Sequence, residues 1–230
     1  MTAPAVLFIA AEPRECANWV NRWTDVRTPA LPVYWARTGN WQGQPMLAIA
    51  NGAGWTRARA AVMAAPPVRA VYSLGYCGAL DPALRIGDIF LATEVRSPKA
   101  VFPALLPNGP AAPSGPLASI PHIAQTAQEK HRLYQTGALA VEMEAGGVAD
   151  ASNTLDVEFH CVRVVSDLAN EDFANDLNKC LMENGKMNIP RLLLGALGSP
   201  VARFGELIRL SRRAALASKN LGEFLALCSY

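Results

Sequence analysis

The sequence predicts an α/β fold built around a central β-sheet. Three observations carry this. Short apolar runs recur along the chain, helix-like segments separate them, and glycine, proline or polar residues close most of the runs. Ala5–Ala10 is the first strand, ending at Glu12-Pro13, with a helix over Cys16–Trp23. Val33–Arg37 and Pro45–Ala50 read as strands joined by a turn over Thr38–Gly43. Asn51-Gly52-Ala53-Gly54 opens an alanine-rich helix to about Ala65, which Pro66-Pro67 ends. Val68–Leu74 is a buried strand broken by Gly75 and Gly78, and Asp88–Val95 is the next strand. Residues 96–116 read as a long loop. A helix over Gln125–Gln135, a short strand over Ala138–Val141, a helix over Met143–Ser152 and a strand over Glu158–Val165 follow. Residues 168–188 are polar and irregular, and the chain is helical from about 189 to 227.

The bulk composition narrows the function classes. The 230 residues suit one domain, 1–230, with 51% hydrophobic and 17% charged residues, the balance of a chain that buries a core. A net charge of +2 gives no general basic footprint, so nucleic acid is not an expected partner. Cys16, Cys77, Cys161, Cys180 and Cys228 form no C-x-x-C pair and read as reduced, buried thiols, which suits a cytoplasmic protein. His122, His131 and His160 show no ligand spacing, so no metal is expected. Ala5–Ala11 is too short to span a membrane and lacks the flanks of a secretory signal.

The run Val141-Glu142-Met143-Glu144-Ala145-Gly146-Gly147 is the most informative. It sets two carboxylates at the entry of an apolar helix. Acids also favour the first turn of any helix, where they meet the positive end of its dipole. Burying an unpaired carboxylate is costly, however, so the run marks a candidate site. In folds of this class ligands gather where strands end in loops. Residues 12–15, 51–54, 75–79 and 166–167 all lie at such ends.

These segments, taken in order, resemble the nucleoside phosphorylase and nucleosidase superfamily, and in motif the 5′-methylthioadenosine/S-adenosylhomocysteine nucleosidases. The resemblance rests on Ala10-Ala11-Glu12-Pro13-Arg14-Glu15, on Asn51-Gly52-Ala53-Gly54 with its alanine helix, and on Gly75-Tyr76-Cys77-Gly78-Ala79-Leu80 with Gly87-Asp88-Ile89. It rests further on Val141-Glu142-Met143-Glu144-Ala145 and Val162-Arg163-Val164-Val165-Ser166-Asp167. It implies a single-domain three-layer sandwich around a central mixed β-sheet, nucleoside phosphorylase-like. It also implies cleavage of the N-glycosidic bond of a purine nucleoside, with adenine as the base, without a cofactor unless inorganic phosphate is the co-substrate. A homodimer or homohexamer is implied as well.

The resemblance also assigns roles. Glu144 would accept hydrogen bonds from the ribose hydroxyls and oppose the developing oxocarbenium charge, with Met143 packed on the sugar. Asp167 would protonate the leaving base from a water-poor pocket, oriented by Ser166, and Glu15 would activate the attacking water. Glu142 acts through backbone contacts or simply begins the helix. His122 is the candidate for stacking on or bonding the base. Gly75, Tyr76, Cys77 and Gly78, with Arg14, form the nucleophile or anion loop.

Tyr76 departs from the pattern, standing where a small hydroxyl residue is usual. It either fills the phosphate site, donates its hydroxyl to the nucleophile or swings outward, and it shifts the balance from phosphorolysis towards hydrolysis. A non-catalytic nucleoside-binding protein is the alternative from another class. In the C-terminal part, Phe204, Leu207, Ile208, Leu221, Phe224 and Leu225 lie near helical spacing among Arg203, Arg209, Arg212, Arg213 and Lys219. This reads as a helix packed on the sheet with a solvated basic face; contact with a membrane surface is the sharper alternative. The tail is similar to that of the hopanoid-associated phosphorylases, a branch acting on a lipid-linked adenosine. Trp19, Trp23, Trp35, Trp41 and Trp55 suit either an apolar substrate tail or the core.

Overall fold

A computed structural model of the protein describes residues 5–198 and 200–230. Its strands are β1 (Ala5–Ala10), β2 (Thr24–Arg27), β3 (Trp35–Trp41), β4 (Gln44–Ala50), β5 (Val68–Ala79), β6 (Ile89–Arg96), β7 (Val101–Pro103), β8 (Ser114–Ser119), β9 (Ala140–Glu142) and β10 (Glu158–Asp167). Its helices are α1 (Pro13–Val20), α2 (Trp55–Met63), α3 (Ala127–Tyr134), α4 (Ala145–Leu155), α5 (Leu177–Cys180), α6 (Ile189–Ala196) and α7 (Pro200–Ala226).

All ten strands form one mixed sheet in the order β10-β6-β8-β9-β5-β1-β4-β3-β2, with β7 on β6. β1 is apolar throughout because helices cover both faces of the sheet. Leu7 and Ile9 face the core beneath α2 and α4; Val6, Phe8 and Ala10 face the core beneath α1 and α7. The expected three-layer α/β architecture is therefore present. β10 also pairs with β5, so β5, β10, β6, β8 and β9 close on one another in a ring.

Several elements differ from the sequence reading, each for a local reason. α1 begins three residues earlier than expected, with Pro13 in its first turn, where a missing N–H is harmless. β5 runs through Gly75 and Gly78 instead of breaking there, since β10 and β9 supply backbone partners along that stretch. The expected loop over 96–116 contains β7 and the start of β8, and β8 lies between β6 and β9 despite its Gly115 and Pro116. β2 is an exposed, polar edge strand with no apolar alternation to announce it. The irregular stretch 168–188 contains the short α5 and an antiparallel bridge from Leu181 to Met187.

The C-terminal part forms α6 and α7. Leu221, Phe224 and Leu225 of α7 bury against Cys16 and Trp19 of α1, and Leu207 packs near Leu177 and Leu192, while Ile208 faces solvent. Of the tryptophans, Trp19 and Trp23 are buried beside Phe8 in an aromatic cluster that Trp41 and Tyr230 join. All five cysteines are buried and free.

Candidate active site

The carboxyl ends of β1, β5, β9 and β10 meet around one cavity of about 210 Å³. It is lined by Glu12, Arg14 and Glu15 after β1, and by Tyr76, Cys77 and Gly78 of β5. Glu142, Met143 and Glu144 at the end of β9, and Ser166 and Asp167 of β10, complete its polar wall. His122 lies on the rim. Every residue expected at the site except Gly75 lines this space, and Gly75 lies directly behind Glu15.

Glu15 is buried in the first turn of α1 and accepts hydrogen bonds from the backbone N–H groups of Ala11 (2.8 Å) and Glu12 (3.2 Å). Burial, reinforced by the nearby Glu12 charge, pushes its carboxyl up to about 7. Gly75 makes this arrangement possible. With φ of +147°, it sits where a Cβ would lie 2.5 Å from Nη1 of Arg163 and 3.3 Å from Oε2 of Glu15.

Glu144 is the N-cap residue of α4, and its Oε1 accepts the Gly54 N–H at 2.9 Å. The Asn51–Gly54 turn thus holds the carboxylate in place. Burial and the adjacent Glu142 raise its proton affinity well above that of an ordinary glutamate. Glu142 takes the backbone role foreseen for it and adds a second one. Its Oε2 accepts the N–H groups of Glu144 and Ala145, both at 2.8 Å, and pairs with Nη2 of Arg163 at 2.6 Å.

Asp167 is held by two contacts beside a glycine. Its Oδ2 accepts the Ser166 hydroxyl at 2.8 Å, its Oδ1 pairs with the ammonium of Lys130, and Gly78 leaves it room, since a Cβ there would lie 2.8 Å from Oδ1. The expected orientation by Ser166 is geometrically available. Asp167 is buried, and a lysine ammonium that the sequence reading did not include faces it.

Tyr76 swings outward. Its hydroxyl donates to the Ala214 carbonyl of α7 at 3.1 Å, and burial pushes its proton affinity up. Arg14 is an exposed arginine paired with Glu12 at 2.6 Å. His122 bonds Glu129 at 2.5 Å and is itself largely exposed. Cys77 is a buried thiol whose proton affinity burial raises, which makes it a poor nucleophile.

Two buried cations escaped the sequence reading. Arg163 bonds Ser73 (2.7 Å), the Leu74 carbonyl and Glu142. Its signal was visible as a lone charge inside the apolar run Val162–Val165. Lys130 had no such signal, since it lies in the polar helix α3 among residues that read as solvated. The stretch 181–187 also reaches the site: Leu181, Gly185 and Met187 line the cavity, and the Gly185 carbonyl accepts the Ala53 N–H at 2.8 Å. Among the described residues no group of three or more His, Cys, Asp or Glu side chains is placed to hold a metal ion. No described helix is long and apolar enough to cross a membrane.

The family description of the phosphorylase superfamily matches residues 104–197. A 5′-methylthioadenosine/S-adenosylhomocysteine nucleosidase of Colwellia psychrerythraea is 26% identical, over 83% of this chain and 94% of that protein. Among solved structures, the corresponding nucleosidase of Neisseria meningitidis, in complex with methylthio-immucillin-A, has a TM-score of 0.67 at 20% identity. That match covers 97% of this chain and 99% of the other. The futalosine hydrolase of Helicobacter pylori has a TM-score of 0.73 at 14% identity, covering 97% and 96%. The fold is that of these solved structures, and the partial family match makes the chain similar to the nucleosidases and nucleoside phosphorylases. Among them, it is similar to the 5′-methylthioadenosine/S-adenosylhomocysteine nucleosidases, as its motifs suggested.

Proposed function

We propose that the protein hydrolyses the N-glycosidic bond of an adenine nucleoside. The observation that carries this reading is the convergence of Glu15, Glu144 and Asp167 on one cavity of about 210 Å³. Breaking the bond leaves positive charge on the ribose and negative charge on the base. Glu144, fixed by the Gly54 N–H, accepts hydrogen bonds from the ribose hydroxyls and opposes the developing cation. Met143 packs on the sugar. Asp167 gives a proton to the departing base, so that it leaves neutral. Glu15, with a proton affinity near neutrality, takes a proton from the attacking water.

Water fits better than phosphate as the nucleophile. Glu12, Glu15, Glu142, Glu144 and Asp167 line the cavity, and among the described residues the one Lys or Arg lining it is Arg14, already paired with Glu12. An anionic co-substrate finds no uncommitted cation there to hold it, whereas water needs none.

A second reading has its own support. A cavity of about 650 Å³ opens off the site past Tyr76, walled by Phe173, Leu177, Leu192, Leu193, Leu207 and Leu210. It suits a nucleoside with a long apolar 5′ substituent, such as a lipid-linked adenosine.

The assay offers adenosine, inosine, methylthioadenosine, S-adenosylhomocysteine and a 5′-alkyl adenosine, with and without phosphate. Release of free sugar is expected. A sugar 1-phosphate would replace hydrolysis with phosphorolysis, and tight binding without turnover by folded protein would point to a binding protein. Asp167→Asn should abolish turnover while sparing the fold; activity near wild type would remove Asp167 as the acid.

A further inference from the structure

We propose that Lys130 is a positioning residue for proton delivery to the leaving base: its ammonium holds Asp167 over Gly78 and stabilises the carboxylate left behind once the proton has gone. This rests on the nucleosidase reading above and adds a residue to it.

The placement of Lys130 is the starting point. It is the one buried residue of α3, a helix otherwise polar and largely exposed, and it is fully buried. Taking an ammonium out of water costs several kcal/mol unless strong partners meet it. Its Nζ donates to Oδ1 of Asp167, to the Leu168 carbonyl at 2.8 Å and to the Glu171 carbonyl at 3.5 Å, and it lies 5.2 Å from the centre of the Phe173 ring. All these partners belong to Asp167 or to the segment leaving it. The lysine is therefore built around the end of β10, not around the packing of its own helix.

The two carboxyl oxygens of Asp167 are thereby divided. Oδ1 lies over Gly78 and is fixed by the ammonium. Oδ2 accepts only the Ser166 hydroxyl among the described residues and keeps its other side for the proton passed to the base. Ser166 and Asp167 line the cavity, whereas Lys130 does not. The lysine thus acts on the base through Asp167 and not by contact.

The chemistry balances without another reagent. As the C–N bond to the ribose breaks, its electron pair moves to the base. A proton that the carboxyl has taken up from solvent at Oδ2 leaves it, an N–H bond forms on the purine, and the carboxylate paired with Lys130 is restored. An ammonium in contact with that carboxylate lowers the energy of this charge as it appears, which speeds the transfer.

The test compares two leaving groups. A purine needs a proton to leave, whereas 4-nitrophenolate departs from a 4-nitrophenyl riboside without one. Lys130→Met should lower kcat on the purine nucleoside by roughly 100-fold with little change in KM. Its rate on the nitrophenyl riboside should stay within about threefold of wild type. Lys130→Arg, which keeps the charge at a different reach, should recover part of the loss, and it carries the test if Lys130→Met fails to fold. Equal losses on both substrates would make the lysine merely structural, and unchanged purine turnover would remove it from the reaction. Either result overturns this inference alone. A wild-type protein that cleaves neither substrate overturns the nucleosidase reading, and this inference with it.

Discussion

At the scale of single residues, the site places carboxylates where water is scarce and then controls each with one or two neighbours. Glu15 illustrates the consequence for pH. Its proton affinity is raised from 4.5 to about 7, so between those values the folded protein binds a proton that the unfolded chain has lost. Stability from this group therefore falls as pH rises from 4.5 to about 7, and stays low above it. Glu15→Gln should be more heat-stable than wild type at pH 8, by at most on the order of 3 kcal/mol, and little different at pH 4. Thermal melts at the two pH values check this, and a larger gain at pH 4 would reverse the sign. The same substitution should abolish a rate that otherwise rises with pH through about 7. Arg163→Met should cost about 3–5 kcal/mol, since it leaves Glu142 buried and uncompensated. A denaturation midpoint unchanged from wild type would show that solvent reaches the pair. Glu144 stood out in the sequence as an acid at the start of an apolar helix, and the segments of Glu15 and Asp167 as strand ends, while the roles of all three came from the resemblance. Lys130 did not stand out, because its burial depends on where α3 docks, and nothing in a polar helix records that.

At the scale of elements, glycine sets how closely the parts of the site approach. In α4 the Gly146–Gly147 pair faces α2. A Cβ at Gly147 would lie 2.2 Å from the Trp55 carbonyl oxygen, and one at Gly146 would lie 2.3 Å from the Trp55 ring. α4 must pack this tightly for the Gly54 N–H, one residue before α2, to reach Glu144. Gly147→Ala should therefore destabilise by about 1–3 kcal/mol and weaken activity together, as the helices separate. Urea unfolding paired with kinetics tests the link; lost stability with full activity would uncouple the packing from the site. Strands buried on both faces, such as β1, were readable as apolar runs. β8 was not, because Gly115 and Pro116 are turn residues by local preference, and pairing with β6 and β9 overrides them. β5 was cut short in the reading for the same reason. Its glycines serve close approach of Arg163 and Asp167, not a turn.

At the scale of the whole molecule, α7 clasps the site from outside. The Ala214 carbonyl takes the Tyr76 hydroxyl, and Arg213 forms two bonds to Glu171, at 2.7 and 2.8 Å, steadying the segment that follows Asp167. Ser218 donates to the Arg14 carbonyl at 2.6 Å and accepts from Asn18 at 2.8 Å, tying the helix to α1. Arg213→Ala should lower turnover less than Asp167→Asn does and raise hydrogen exchange in residues 168–171; exchange unchanged there would mean the segment stands without α7. These contacts carry a consequence for how the protein is made. A ribosome that has released the chain through Asp167 has delivered every acid of the site. It has not yet delivered the helix that steadies them from behind. The emerging polypeptide holds its carboxylates in an unfinished setting until α7 follows them, so the parts of the cavity exist before the helix that fixes their arrangement.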